Sequence, residues 1–128
     1  MNIINVTLNT KQMETYITKK RKNVHLILEL YLKDSTGPVA RLLGTYPEWN
    51  KDVMYISDVS TFPNHTRKGY GTQLIRRALW EARRNGCSYV KLDDFSDGFG
   101  TDHNIYIKNG FKYEHDGFPE MILKFKSE

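Results

Sequence analysis

Residues 66–72 read Thr-Arg-Lys-Gly-Tyr-Gly-Thr, and the chemistry that this spacing offers is phosphate binding. An extended segment from Asp58 runs through the short glycine turn straight into the pattern of an amphipathic helix. The first N–H groups of a helix have no carbonyl partner within it and point outward with the positive end of the dipole, so an anion is favoured there. Gly69 and Gly71 leave room for a close approach, and Arg67 and Lys68 add positive charge. Two common phosphate motifs do not fit. A dinucleotide fingerprint needs a third glycine where this chain has Leu74, and a P-loop needs Gly-Lys-Ser/Thr where it has Gly71-Thr72-Gln73.

Thr66-Arg67-Lys68-Gly69-Tyr70-Gly71 resembles the coenzyme A pyrophosphate loop of the GCN5-related N-acetyltransferase (GNAT) superfamily, Arg/Gln-x-x-Gly-x-Gly/Ala. Pro63 stands where that family often has a proline, and Tyr106 followed by Asn109-Gly110-Phe111 resembles its second signature, a tyrosine and then x-x-x-Gly-Phe. The chain departs from the first signature at Thr66, which replaces the usual arginine or glutamine, with Arg67 available to supply the charge. The resemblance implies acetyl-CoA as co-substrate, held by Thr66, Arg67, Lys68, Gly69, Tyr70, Gly71 and Thr72. It also implies that the thioester lies in a wedge between two parallel strands, here residues 53–62 and 88–92, with main-chain groups near Thr61 meeting the pantetheine arm.

Acetyl transfer to an amine needs a free base and an acid. An amine of pKa about 10.4 is almost fully protonated at neutral pH, and freeing it costs roughly 4 to 5 kcal/mol. By resemblance, Asp58 is the base or the anchor of the cationic acceptor, and Tyr106 is the acid facing the thioester sulfur. Strict alternation along the strand puts Asp58 on the side of Met54 and Ile56, where it is structural; a β-bulge would turn it to the other side. Asp93, Asp94, Asp97 and Asp102 cluster past residues 88–92, where α/β sheets bind ligands. Asp93 and Asp94 are the candidate acceptor-binding pair, although solvated loop aspartates explain the same letters.

The remaining reactive residues suggest no second chemistry. His25, His65, His103 and His115 have no metal-ligand spacing, so no metal is expected, and no Gly-x-Ser-x-Gly elbow is present. Cys87 is the single cysteine; it excludes an intramolecular disulfide and reads as a small packed residue.

The chain has 128 residues, of which 39% are hydrophobic, 12% aromatic and 27% charged, enough for the core of one domain over residues 1–128. With no basic stretch leading into a long apolar run at the N-terminus, no signal or membrane anchor is expected, and a cytoplasmic location follows. The net charge of +4 is carried by 19–22 and by Arg76, Arg77, Arg83 and Arg84, which read as solvated faces.

The elements that position these residues alternate. A strand is expected over 2–8, then a helix over 11–21 capped by Thr10 with Met13, Tyr16 and Ile17 on one face. A strand over 24–32 turns at 35–38 into 39–45 as an antiparallel hairpin. The strand 53–62 leads into the glycine turn, and a helix carrying Leu74, Ile75, Ala78, Leu79 and Ala82 on one stripe ends at Gly86. A strand over 88–92 makes a parallel crossover; a helix over 101–109 and a hairpin of 111–114 with 120–126 follow. The expected fold is a mixed α/β sheet with helices on both faces, matching the GNAT-like acyl-CoA N-acyltransferase fold with its splayed parallel pair. A single N-terminal helix implies an open acceptor side.

The function so implied is an acetyl-CoA-dependent N-acetyltransferase acting by direct attack of a primary amine, a polyamine or the lysine of a basic peptide or protein. Two alternatives stand beside it: a nucleic-acid-binding module that uses the arginines against phosphates, and a non-catalytic regulator that binds coenzyme A. Homodimers are frequent among similar proteins, but no residue here specifies a contact.

Overall fold

A computed structural model describes residues 2–7, 14–22, 25–62, 69–96, 98–101 and 104–126. Eight strands form one sheet in the order β1-β2-β3-β4-β5-β6-β8-β7. β1 (Asn2–Thr7), β2 (Glu14–Lys22), β3 (His25–Asp34), β4 (Gly37–Pro47) and β5 (Val53–Thr61) make an antiparallel meander. Helix α1 (Tyr70–Arg84) crosses over to β6 (Tyr89–Asp93), which runs parallel to β5. The short α2 (Ile105–Lys108) precedes β7 (Lys112–Tyr113) and β8 (Glu120–Lys124), and β8 lies antiparallel to β6.

The alternation Leu28, Leu30, Leu32 in β3 faces Gly44, Leu42 and Ala40 of β4, and all are buried on one face of the sheet. Leu74, Ile75, Ala78 and Ala82 recur at helical spacing and bring α1 down on that face. Gly86, at φ 88°, ends the helix in the left-handed region, and Asp52 O receives Ser88 N and Tyr89 N at 2.7 and 3.1 Å, so β5 and β6 start side by side.

The structure corrects the sequence reading in three places. Residues 14–21, expected in a helix, are strand β2, paired with β3 from Glu14↔Lys33 to Lys22↔His25. Thr15, Tyr16, Ile17 and Thr18 are β-branched or aromatic, and they pair with a strand already formed in the adjoining hairpin. Strand propensity over 15–18 competes with the helical stripe and prevails. The consequence is the second correction. Among the described residues, both helices pack against the one hydrophobic cluster, so helices do not cover both faces. The expected helix over 101–109 also shrinks, because Asn104 caps α2 and Thr101 sits in a turn closed by its N–H to Gly98 O.

One buried charge ties β2 to α1. Glu81 is 1% exposed, receives Arg77 Nη2 at 3.1 Å one turn earlier, and meets Lys19 Nζ at 3.2 Å. Arg77 and Arg84 also lie over the Trp80 ring at 4.4 and 5.1 Å, which assigns part of the basic helix face to local contacts. Lys19→Met and Glu81→Gln should each cost about 1–3 kcal/mol in urea unfolding. The double variant should lose less than their sum, because both remove one interaction.

Candidate active site

The site is organised by where β5 and β6 stop pairing. Their parallel ladder joins Val53–Ile56 to Tyr89–Leu92 and ends there. β5 continues to Thr61 against β4, whereas β6 follows β8 through Asp93↔Glu120 and Asp94 N bonds to Pro119 O at 2.8 Å. Beyond Ile56, the β6 side of β5 therefore has no strand partner among the described residues. A cleft of about 240 Å³ opens at the parting, lined by Ser57, Asp58, Val59, Asp93, Phe95 and Tyr106 among others.

Asp58 reaches this cleft through a bulge. Gly44 pairs with Ile56 and Leu43 with Asp58, so Ser57 is an extra residue in β5. Adjacent residues 43 and 44 point to opposite faces, which puts Asp58 opposite Ile56 and away from the core. Its carboxylate accepts Arg41 Nη2 at 2.8 Å and the Ser60 hydroxyl at 2.8 Å. Arg41, held by hydrogen bonds to Asp58 and then Tyr31, has its guanidinium pKa pushed up, so it is a permanent cation beside the cleft. After the bulge Val59 returns to the face of Leu42, and Thr61 lies opposite Ala40 at the outer end of the strand.

Tyr106 approaches from α2. Asn104 Oδ1 caps that helix by accepting Tyr106 N and Ile107 N at 2.8 and 3.0 Å. The chain then turns at Gly110, φ 98°, and buried Phe111 meets the Tyr106 ring edge-on at 6.2 Å. Burial first, and then the carboxylates of Asp94 and Asp58, push the phenol pKa up. The hydroxyl stays protonated and can donate.

Asp93 and Asp94 have opposite fates. Asp93 is exposed and lines the cleft. Asp94 is 1% exposed and accepts Ser96 N at 3.0 Å, the Ser96 hydroxyl at 2.5 Å, Asn104 Nδ2 at 2.6 Å and the Tyr113 hydroxyl at 2.6 Å. The expectation that Asp94 binds the acceptor is therefore corrected: its oxygens are consumed in fastening the loop after β6 to α2 and β7. Burial raises its pKa most, but the donors together outweigh that and hold the carboxyl below its usual range. Asp97 and Asp102 lie outside the described residues.

At the phosphate turn, Thr66, Arg67 and Lys68 lie outside the described residues, as do Pro63, His65 and His103. Gly69 is described, at φ 79°, as the residue before α1, with no side-chain cap and no acidic residue in the first turn. The first closing bond is Gln73 N to Gly69 O at 3.1 Å, so no carbonyl within the helix serves the N–H groups of Gly71 and Thr72. These donors and the bare β5 edge fit a pyrophosphate with a pantetheine arm. Gly71 also marks where α1 and α2 touch: a Cβ there would stand 2.9 Å from the end of the Ile105 side chain of α2.

Other candidates fall away from the cleft. His25 packs edge-on against Trp49, and Cys87 is buried with its thiol pKa pushed up by burial. Among the described residues, no group of three or more His, Cys, Asp or Glu could hold a metal ion, and no helix is long and apolar enough to cross a membrane. Sequence reasoning missed Arg41, Ser60, Asn104 and Tyr113. Only Asn104 carried a local signal, as an asparagine ahead of an apolar pair.

A sequence model of the acetyltransferase (GNAT) family matches residues 6–111. The chain belongs to that family. Solved structures with the same fold include the PaiA N-acetyltransferase of Thermoplasma acidophilum in complex with coenzyme A, 23% identical with a TM-score of 0.63 over 77% of this chain. Tetrahymena GCN5 is 14% identical, with a TM-score of 0.64 over 82% of this chain and 71% of its own. A Brucella melitensis GNAT acetyltransferase in complex with acetyl-CoA is 21% identical, with a TM-score of 0.60 over 79% of this chain and 60% of its own. This chain spans 61% of the Thermoplasma protein. A search of curated proteins gives no sequence match.

The two aspartates separate in a direct test. Asp94→Asn should lower stability by about 1–3 kcal/mol at neutral pH in urea unfolding, and Asp93→Asn should leave it unchanged. Because the native carboxyl titrates below the unfolded value of about 3.9, this contribution is complete above that pH and disappears as pH falls through the native value.

Proposed function

We propose that this chain is a single-domain, cytoplasmic N-acetyltransferase that moves the acetyl group of acetyl-CoA to a primary amine, on a polyamine or a protein lysine, by direct attack. The observation that carries the reading is the cleft where β5 leaves β6, with Asp58 turned into it by the bulge and protonated Tyr106 also lining it. Neighbours of this fold hold coenzyme A or acetyl-CoA, which supports that co-substrate here.

Thr66 to Thr72 would hold the pyrophosphate, with the N–H groups of the first turn of α1 as donors, and the β5 edge up to Thr61 would hold the pantetheine arm. Bound there, acetyl-CoA supplies an activated acyl group. The chain does the rest. Asp58, oriented by Arg41 and Ser60, anchors the acceptor ammonium and takes its proton, directly or through water. Tyr106 keeps a proton to offer the departing sulfur, and exposed Asp93 adds negative charge at the mouth.

A ligand that binds only the folded chain raises its melting temperature, so millimolar acetyl-CoA should do so. Thiol release across polyamines, amino acids, aminoglycosides and basic peptides then separates the readings. A thermal shift without turnover would mark a coenzyme-binding regulator, and salt-sensitive nucleic-acid binding without either would mark the other alternative. Tyr106→Phe should lower kcat about 100-fold or more and leave the KM for acetyl-CoA within twofold, as loss of an acid requires. Asp93→Asn should raise the KM for a cationic acceptor and not that for acetyl-CoA.

A further inference from the structure

Phe95 is 83% exposed, more than any other large hydrophobic side chain described. Its neighbours are anchored. Asp94 before it is buried in its hydrogen bonds, and Ser96 after it donates both N–H and hydroxyl to Asp94 Oδ1. The ring is held out from a fastened turn and contributes almost nothing to the core.

Its place in the molecule is specific. Phe95 borders the cleft with Asp58 and Tyr106, and also an adjoining cleft of about 390 Å³ that continues past Tyr55, Lys91, Glu114 and Glu120. Ile56, Ser57, Leu92, Asp93 and Phe95 line both. An amine whose head is at Asp58 and whose body extends into the second cleft must pass Phe95, the one well-exposed apolar side chain that the two clefts share, since Ile56 and Leu92 are buried. Lys91 is matched by Glu114 at 2.9 Å, so Asp93 and Glu120 leave the passage with negative charge, suited to a cation. A phenyl face attracts an ammonium as well as covering methylenes.

We propose that Phe95 is a specificity residue that takes the methylene chain behind the reacting nitrogen. The favoured acceptor is then an amine on a linear aliphatic chain, as in a polyamine or a lysine side chain, and not a compact hydrophilic amine. This rests on the transferase reading of the cleft.

The experiment uses straight-chain primary amines of increasing length with wild type, Phe95→Ala and Phe95→Leu. Wild-type kcat/KM should rise by up to about fourfold per methylene, the factor given by about 0.8 kcal/mol per buried CH₂. Phe95→Ala should flatten that rise to under twofold across the series, and Phe95→Leu should restore most of it. Neither should change the melting temperature or the KM for acetyl-CoA. An unchanged rise in Phe95→Ala overturns the inference, and so does a several-fold increase in the KM for acetyl-CoA, which would put the ring on the pantetheine arm. If wild type releases no thiol with any amine, the transferase reading fails, and calorimetric titration of hexylamine still decides this one. Binding several-fold weaker in Phe95→Ala supports it, and equal binding, or none in either protein, overturns it.

Discussion

Backbone hydrogen bonding beyond Ile56 governs this site. Every N–H and C=O in a sheet needs a partner, and β5 has one on both sides only as far as Leu92 accompanies it. From there β4 retains β5 up to Thr61, and β8 draws β6 away through Asp93↔Glu120. One row of main-chain groups is left to be satisfied by water or by a ligand with amides of its own. The cleft thus opens where strand pairing ends, and the turn after β6 and α2 complete its lining.

That parting would be of little chemical use without the extra residue at Ser57. An unbroken β5 would bury Asp58 beside Met54 and Ile56, where an unpaired carboxylate is costly. The bulge exchanges that for a partly exposed position between Arg41 and Ser60. Tyr106, on an independent element, is set by a different network: Asn104 caps its helix and donates to Asp94, and Tyr113 closes the same carboxylate. The acid and the acidic anchor are thereby positioned separately and line one cleft.

Much of this could be read from residues alone, wherever a local rule had no competitor. The helix over Leu74–Ala82, the hairpin of β3 and β4 and the crossover to β6 all follow from clean periodicity with glycine punctuation. Met13, Tyr16 and Ile17 fit a helical stripe, but residues 14–22 pair with a strand distant in energy terms from any local preference, and pairing prevailed. The register shift at Leu43 and Gly44 has no signature in either strand, so the direction of Asp58 could be posed as an alternative but not decided. Asp93 and Asp94 are identical letters; only the course of the chain toward Pro119 turns one outward and the other inward.

The contact of Gly71 with Ile105 has a wider consequence. It seats the tyrosine-bearing helix on the opening turn of the long one, with space for a hydrogen atom and little more. Positions 71 and 105 are thus a mechanical joint between the phosphate end and the proton-donating end of the cleft. A methyl group at 71 asks only the end of the Ile105 side chain to swing aside, whereas a branched or aromatic residue there would press on the shorter helix as a whole.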